Sequence, residues 1–202
     1  TATSTNHSNK HDLNARLGNY AQLPIVVISL HPETNNMKDE SFQHVFEFLS
    51  RLDDYFLVFS EPNQDPGRDK IMGLLLAFME ERKSNYIFEQ SFGIEVYQSC
   101  LKHCRFAIGN SSSLIIEGSY FGTPSINVGG RQEGRQRGSN IIDAEAECNA
   151  LVEAFSRALK LDKSLIANSP FWQGGAAAKI VAKISKLYPF TEYPKKRFID
   201  RG

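Results

Sequence analysis

Charge of one sign is missing from this chain: 23 lysines and arginines face 23 aspartates and glutamates in 202 residues. A protein built to ride on nucleic acid or an anionic membrane uses a broad field of one sign, so any anion binding here has to be local. Long hydrophobic runs are also missing. No apolar stretch in the sequence approaches the roughly 20 residues that cross a bilayer, and the opening TATSTNHSNKHD has no apolar core of a secretory signal. Cysteine is scarce, with only Cys100, Cys104 and Cys148. An odd set without a repeating spacing argues against a disulfide framework and for a reducing, cytoplasmic setting. Cys100, His103 and Cys104 lie close together but offer too few ligands for a metal site, so Cys100 and Cys104 read as buried free thiols on one helix face. No internal repeat and no low-complexity segment occurs. No G-x-G-x-x-G follows the first apolar run, which removes the dinucleotide fingerprint. The expectation is a protein with no membrane span, no nucleic-acid partner, no metal and no cofactor.

What the chain does have is an alternation of two periods. Leu23 to Leu30 is a continuous apolar, β-branched run, which suits a strand buried on both faces. Tyr55 to Phe59, Asn85 to Phe88, Arg105 to Ile108, Ser125 to Val128 and Ser139 to Ile142 read as five further strands. Between them, residues 39–52, 68–82 and 92–104 place apolar side chains at helical spacing, and residues 144–160 follow the last strand as an amphipathic helix. Strands alternating with helices predict an α/β, Rossmann-like parallel sheet with helices on both faces. Residues 1–22 read as a linker or disordered tail with room for a short helix around Leu13 to Leu17, 23–187 as the domain with a last helix over Ala176 to Leu187, and 188–202 as a basic, proline-broken tail.

One stretch organises the rest. From Ala107 to Asp143 the chain reads strand, serine turn, helix, strand, basic loop. Asn110, Ser111, Ser112 and Ser113 sit where the helix begins, and Ser and Asn are favoured N-caps. The first N–H groups of a helix lack partners within it and carry partial positive charge, so a phosphate can take them as donors. Gly129 and Gly130 close the next strand, and Arg131, Arg135 and Arg137 follow as planar cationic forks. Taken singly, the serines would only cap a helix and the arginines would be solvated. Together, at two consecutive strand ends, they point to an anionic ligand, because ligands of such sheets collect at the carboxyl ends of strands. Pro32 stops the first strand and displays His31 at the same edge.

The motifs HPET at 31–34, PNQDPG at 62–67, GNSSSLIIE at 109–117, FGTPSINVG at 121–129 and RQEGR at 131–135 resemble, in order and spacing, those of UDP-N-acetylglucosamine 2-epimerases. The likeness is to the C-terminal half of the hydrolysing type that begins sialic acid synthesis, and it covers roughly residues 24–160. The resemblance implies a two-domain enzyme of glycosyltransferase-B form, of which this chain carries the half that grips UDP. Ser111 and Ser112 would bind the diphosphate with Ser113 beside them. Glu117 would accept the ribose hydroxyls, Phe92 and its backbone would hold the uracil, and Arg131 would face the phosphates. His31 would support departure of UDP. The implied chemistry is anti elimination of UDP from UDP-GlcNAc through a glycal, then water addition, giving N-acetylmannosamine and UDP. Acidic groups that move protons on the sugar belong to the family's N-terminal half, which no segment here matches; the implied partners are UDP or UDP-GlcNAc and that missing half, with a homo-oligomer also allowed. Leu114 stands where hydrolysing members have Gly, and it either narrows the site or packs. Two other readings stay open: another glycosyltransferase-B-type sugar transferase, and a non-catalytic domain that keeps the fold.

Overall fold

The computed structural model describes Leu13, Arg16, Leu17 and residues 23–33, 40–162, 170–171 and 175–187. Within them the chain alternates six strands with six helices: β1 (Ile25–Ser29), α1 (Glu40–Leu49), β2 (Phe56–Ser60), α2 (Arg68–Arg82), β3 (Tyr86–Glu89), α3 (Gly93–His103), β4 (Phe106–Gly109), α4 (Ser112–Tyr120), β5 (Ser125–Val128), β6 (Ile141–Ala144), α5 (Cys148–Lys160) and α6 (Ala176–Leu187). The sheet order is β3-β2-β1-β4-β5-β6 and every pairing is parallel. The α/β, Rossmann-like expectation therefore holds.

Alternation along the strands splits the core in two. Val26 and Ile28 of β1 join Leu57, Phe59, Phe106, Ile108 and Ile126 on one face, under α1, α2 and α5. Ile25 and Val27 join Phe56, Val58 and Ala107 on the other, with Cys100 and Leu101 of α3 and Leu114 of α4. All five residues of β1 are buried, as its unbroken apolar run requires. The first face is aromatic: Phe46 packs on Phe59 and Phe78, and Phe155 meets Phe48, Tyr55 and Phe106, with ring centroids 5.3–6.4 Å apart.

Several boundaries, those of β1, β2, β4 and α1 among them, shift by one to three residues from the sequence expectation, and the larger changes around β3 and β6 have local reasons. β3 starts at Tyr86 because Asn85 adopts φ 61°, a left-handed conformation that cannot begin a strand. β6 starts at Ile141 and runs to Ala144, which pairs with Val128; the helical pattern drawn from 144 yields to that pairing, and α5 begins at Cys148. Asn140, expected in the strand, is fully buried as a clasp: it accepts the Ser119 hydroxyl at 2.7 Å and donates to the Thr123 carbonyl at 2.8 Å.

Two observations bear on the domain limits drawn at 23 and 187. Leu13 and Leu17, inside the stretch expected as a tail, are fully buried in the second core cluster, and the Leu17 N–H donates to the Leu13 carbonyl at 2.9 Å. Two apolar side chains one helical turn apart thereby add their burial to the second core cluster. The chain divides into compact units Thr1–Trp172 and Gln173–Gly202, so α6 belongs to the second unit. The expected tail at 188–202 lies outside the described residues.

The direction of sheet growth reverses between β1 and β4. Connections leave adjacent strands there in opposite directions and open a crevice at their carboxyl ends. His31 follows β1 and Asn110 follows β4 at that point.

Candidate nucleotide-diphosphate site

Gly109 makes the close approach of β4 to β1 possible. Its φ is 147°, and a Cβ added there would lie 2.0 Å from the Ser29 carbonyl oxygen. Only glycine fits such a position. The chain then leaves the sheet into Asn110, whose side chain is fully buried. Its Oδ1 accepts the His31 N–H and its Nδ2 donates to the His31 carbonyl, both at 2.8 Å. One side-chain amide thus extends the β1–β4 pairing past its last residue.

Ser111, not Asn110, is the N-cap of α4. It has extended backbone (φ −78°, ψ 142°), and its hydroxyl oxygen accepts the Ser113 N–H at 3.3 Å. The Ser111 and Ser113 hydroxyls lie 2.9 Å apart, and the Tyr97 hydroxyl lies 2.7 Å from that of Ser113. Burial pushes the Tyr97 phenol up to about 12, so it stays a neutral donor and acceptor. Ser112 differs from its neighbours: it is half-buried, and neither its hydroxyl nor its N–H has a partner among the described residues. An unpartnered N–H and hydroxyl at a helix N-terminus are what an anion would take. Leu114 settles into the second core cluster at zero exposure, so it packs and does not narrow the turn.

The loop after β5 leans onto the same turn. The Arg131 guanidinium donates to the Asn110 carbonyl at 3.2 Å, and the Gln132 amide donates to that oxygen at 2.8 Å. The Arg131 N–H donates to a Glu33 carboxylate oxygen at 2.8 Å, which ties in the segment after β1. No carboxylate pairs with the Arg131 guanidinium among the described residues, leaving donors for a ligand. Arg137 acts elsewhere. It bonds Asp143 at 3.2 Å and the Gln132 carbonyl at 2.7 Å, bracing its own loop. Arg135 is exposed.

His31 is buried at this junction, 9% exposed. The Asn63 N–H donates to its Nδ1 at 3.1 Å, while its Nε2 lies 3.5 Å from the Ser29 hydroxyl, at the limit of a hydrogen bond. Burial first, and then the Arg131 charge, lower its pKa to about 4, against a smaller opposing pull from Asp65. The ring is neutral at pH 7 and carries its proton on Nε2. Glu117, one turn into α4, is half-buried with no partner from another side chain among the described residues. Burial raises its pKa. Phe92 precedes α3, and its ring packs against the second core cluster.

The sequence singled out His31, the serines, Glu117 and Arg131, and the fold brings His31, the serine turn and Arg131 to one sheet edge. It left unassigned Glu33 and Gln132 as struts, Tyr97 as a bond partner of Ser113, and Asn63 as the donor to His31. Asn63 had one cue, its place in the turn after β2, the strand next to β1. Among the described residues no group of three or more His, Cys, Asp or Glu could hold a metal ion, and no helix is long and apolar enough to cross a membrane.

Comparison with known proteins gives this geometry a setting. The family model described as UDP-N-acetylglucosamine 2-epimerase matches residues 2–185. A GDP/UDP-N,N'-diacetylbacillosamine 2-epimerase (hydrolyzing) of Campylobacter jejuni is 34% identical over 154 residues, covering 75% of this chain and 40% of the relative. A UDP-N-acetylglucosamine 2-epimerase of Neisseria meningitidis is 32% identical over 142 residues, with 69% and 37% covered. The chain thus spans half or less of the length of these relatives. Among solved structures, S. aureus MnaA with UDP superposes at TM-score 0.68 with 16% identity, covering 98% of this chain and 54% of that one. A sucrose-phosphate synthase of Thermosynechococcus elongatus superposes at 0.54 with 18% identity, over 88% and 48%. Likeness at such identities shows the shared fold.

Proposed function

This chain belongs to the UDP-N-acetylglucosamine 2-epimerase family, and we propose that it is the half of such an enzyme that holds UDP. The carrying observation is the meeting of three separate loops at the switch point: the Ser112 N–H and hydroxyl, unpartnered among the described residues, after β4; the Arg131 guanidinium, without a carboxylate among the described residues, after β5; and the neutral His31 ring after β1. The first two hold donors in reserve, and a diphosphate supplies acceptors. Ser111 shapes the turn through its cap, and the Ser113 hydroxyl shares hydrogen bonds with the hydroxyls of Tyr97 and Ser111.

In the whole enzyme the reaction is elimination of UDP from UDP-GlcNAc. The C2 proton leaves to a base of the N-terminal half, the C1–oxygen bond breaks, and UDP departs with the electron pair. Water then adds to the glycal, giving N-acetylmannosamine. The demand on this half is to stabilise charge growing on the departing diphosphate. His31 donates from Nε2, Arg131 supplies permanent charge, and the amides at the start of α4 supply fixed dipoles. Glu117 takes the ribose diol, and Phe92 with its flanking backbone takes the uracil. UDP or UDP-GlcNAc and an N-terminal catalytic half are the partners in this reading, a homo-oligomer is compatible with it, and the cytoplasm is its setting, supported by Cys100, Cys104 and Cys148, which form no disulfide among the described residues.

The fold it shares with a sucrose-phosphate synthase favours one second reading, a sugar transferase of the same architecture. Product analysis with the full-length protein and UDP-GlcNAc separates the two. N-acetylmannosamine with UDP supports the epimerase; a glycosylated acceptor, with no N-acetylmannosamine, overturns it.

A further inference from the structure

We propose that Asn110 is the positioning residue of this site, locking His31 and Arg131 in place from opposite sides of one buried amino acid. The side chain holds His31 by both main-chain groups, accepting its N–H and donating to its carbonyl, each at 2.8 Å. The main-chain carbonyl of Asn110 holds the Arg131 guanidinium at 3.2 Å and the Gln132 amide at 2.8 Å. Glu33 closes the ring, accepting the Arg131 N–H at 2.8 Å and the Asn110 amide at 3.5 Å. The next residue in the chain, Ser111, caps α4.

The orientation of the Asn110 amide is fixed by these partners, since only its oxygen can accept from His31 N–H and only its nitrogen can donate to the carbonyl. No other side chain of this size offers an acceptor oxygen and a separate N–H donor side by side. Aspartate could accept but not donate, and leucine could do neither. Placing a fully buried amide here is understandable if the gain is geometric. Charged and donor groups act on a departing diphosphate only when held in place beforehand. His31 and Arg131 share no hydrogen bond with each other among the described residues. Asn110 is their common support.

The inference deepens the UDP reading and rests on it, so the test separates the two. Asn110→Ala is made in this chain, and two quantities are measured against wild type: UDP affinity by calorimetry, and the titration midpoint of the His31 ring by nuclear magnetic resonance. The groups that face that ring are Arg131 from the loop after β5 and Asp65 from the loop after β2, and both remain in the variant. We expect UDP affinity to fall at least tenfold and the midpoint to climb from about 4 toward 6.5 as the ring loses its buried seat. A folded variant with unchanged midpoint and affinity within twofold of wild type overturns the proposal, since a merely structural Asn110 would lower the melting temperature alone. If Asn110→Ala does not fold, Asn110→Ser is measured in the same way against the same criteria. Absence of UDP binding by wild type would sink the UDP reading, while the His31 midpoint would still decide the role of Asn110.

Discussion

The Asn63 N–H donates to Nδ1 of His31 at 3.1 Å. A nitrogen that accepts a main-chain N–H cannot carry a proton, so His31 can donate only from Nε2. A residue in the turn after β2 thereby sets the chemistry of the residue after β1. In the proposed function the ring would therefore meet UDP as a neutral donor, and positive charge would come from Arg131.

That arrangement makes the fold sensitive to acid. The folded-state pKa of His31 is depressed to about 4 from 6.5. Between those values the unfolded chain binds a proton that the folded chain refuses, so stability is full above pH 6.5 and drains away as pH falls toward 4. The loss is on the order of 3 kcal/mol. Urea melts from pH 7.5 to pH 4 should show a steeper decline for wild type than for His31→Gln. Parallel curves would mean that the ring titrates normally.

Glu117→Gln should separate binding from stability. Burial raises the Glu117 pKa, so the ionised carboxylate carries a desolvation cost in the free protein. The neutral amide is expected to raise the melting temperature slightly at pH 7 and to weaken UDP by roughly 1 kcal/mol through the ribose diol. A scan with and without UDP checks both. A variant that binds UDP as well as wild type removes Glu117 from the site.

Gly109→Ala should be severe. The new methyl would meet the Ser29 carbonyl at 2.0 Å, at a φ of 147°. Neither backbone can yield without parting β1 from β4, and the loss should exceed about 3 kcal/mol. Circular dichroism melts will read it; a Tm within a few degrees of wild type would contradict the packing described for these two strands.

Tyr97→Phe removes the hydroxyl that meets Ser113 at 2.7 Å. The expected loss is about 1 kcal/mol of stability, with a weaker UDP complex because Ser113 is freed to turn. Unaltered stability and affinity in the phenylalanine variant would show that the phenol does not hold the serine turn.

Most of the fold was legible because the sheet is parallel and doubly covered. β1 announces itself as an apolar run that needs no polar face, and β5, α2 and α6 fall at their expected residues. The misplaced ends came from residues whose local conformation overrides periodicity, such as Asn85 at positive φ and Asn140 acting as a clasp. Leu13 and Leu17 show the same limit from the other side: two leucines in a polar stretch carry too weak a pattern to reveal that both are buried.

For the site, the serine turn and Arg131 could be found because their chemistry is written in residue type. The division of labour among the serines could not. Ser111 and Ser113 engage their hydroxyls with each other and with the cap, and Ser112 is the one left over, which depends on how the helix winds. Asn110 looked like a cap by composition; its actual role is set by His31, 79 residues away in the chain. Long-range pairings of this kind need the strand order before they can be seen.

Calorimetric titration of UDP into the wild-type chain, Ser112→Ala and Arg131→Ala, at low and high salt, bears most directly on whether a diphosphate sits where β4 turns into α4. The expected result is binding by wild type, about fivefold weaker binding for Ser112→Ala, and a larger loss for Arg131→Ala that shrinks as salt rises. Equal affinity in all three proteins, or no heat from the wild type, would contradict it.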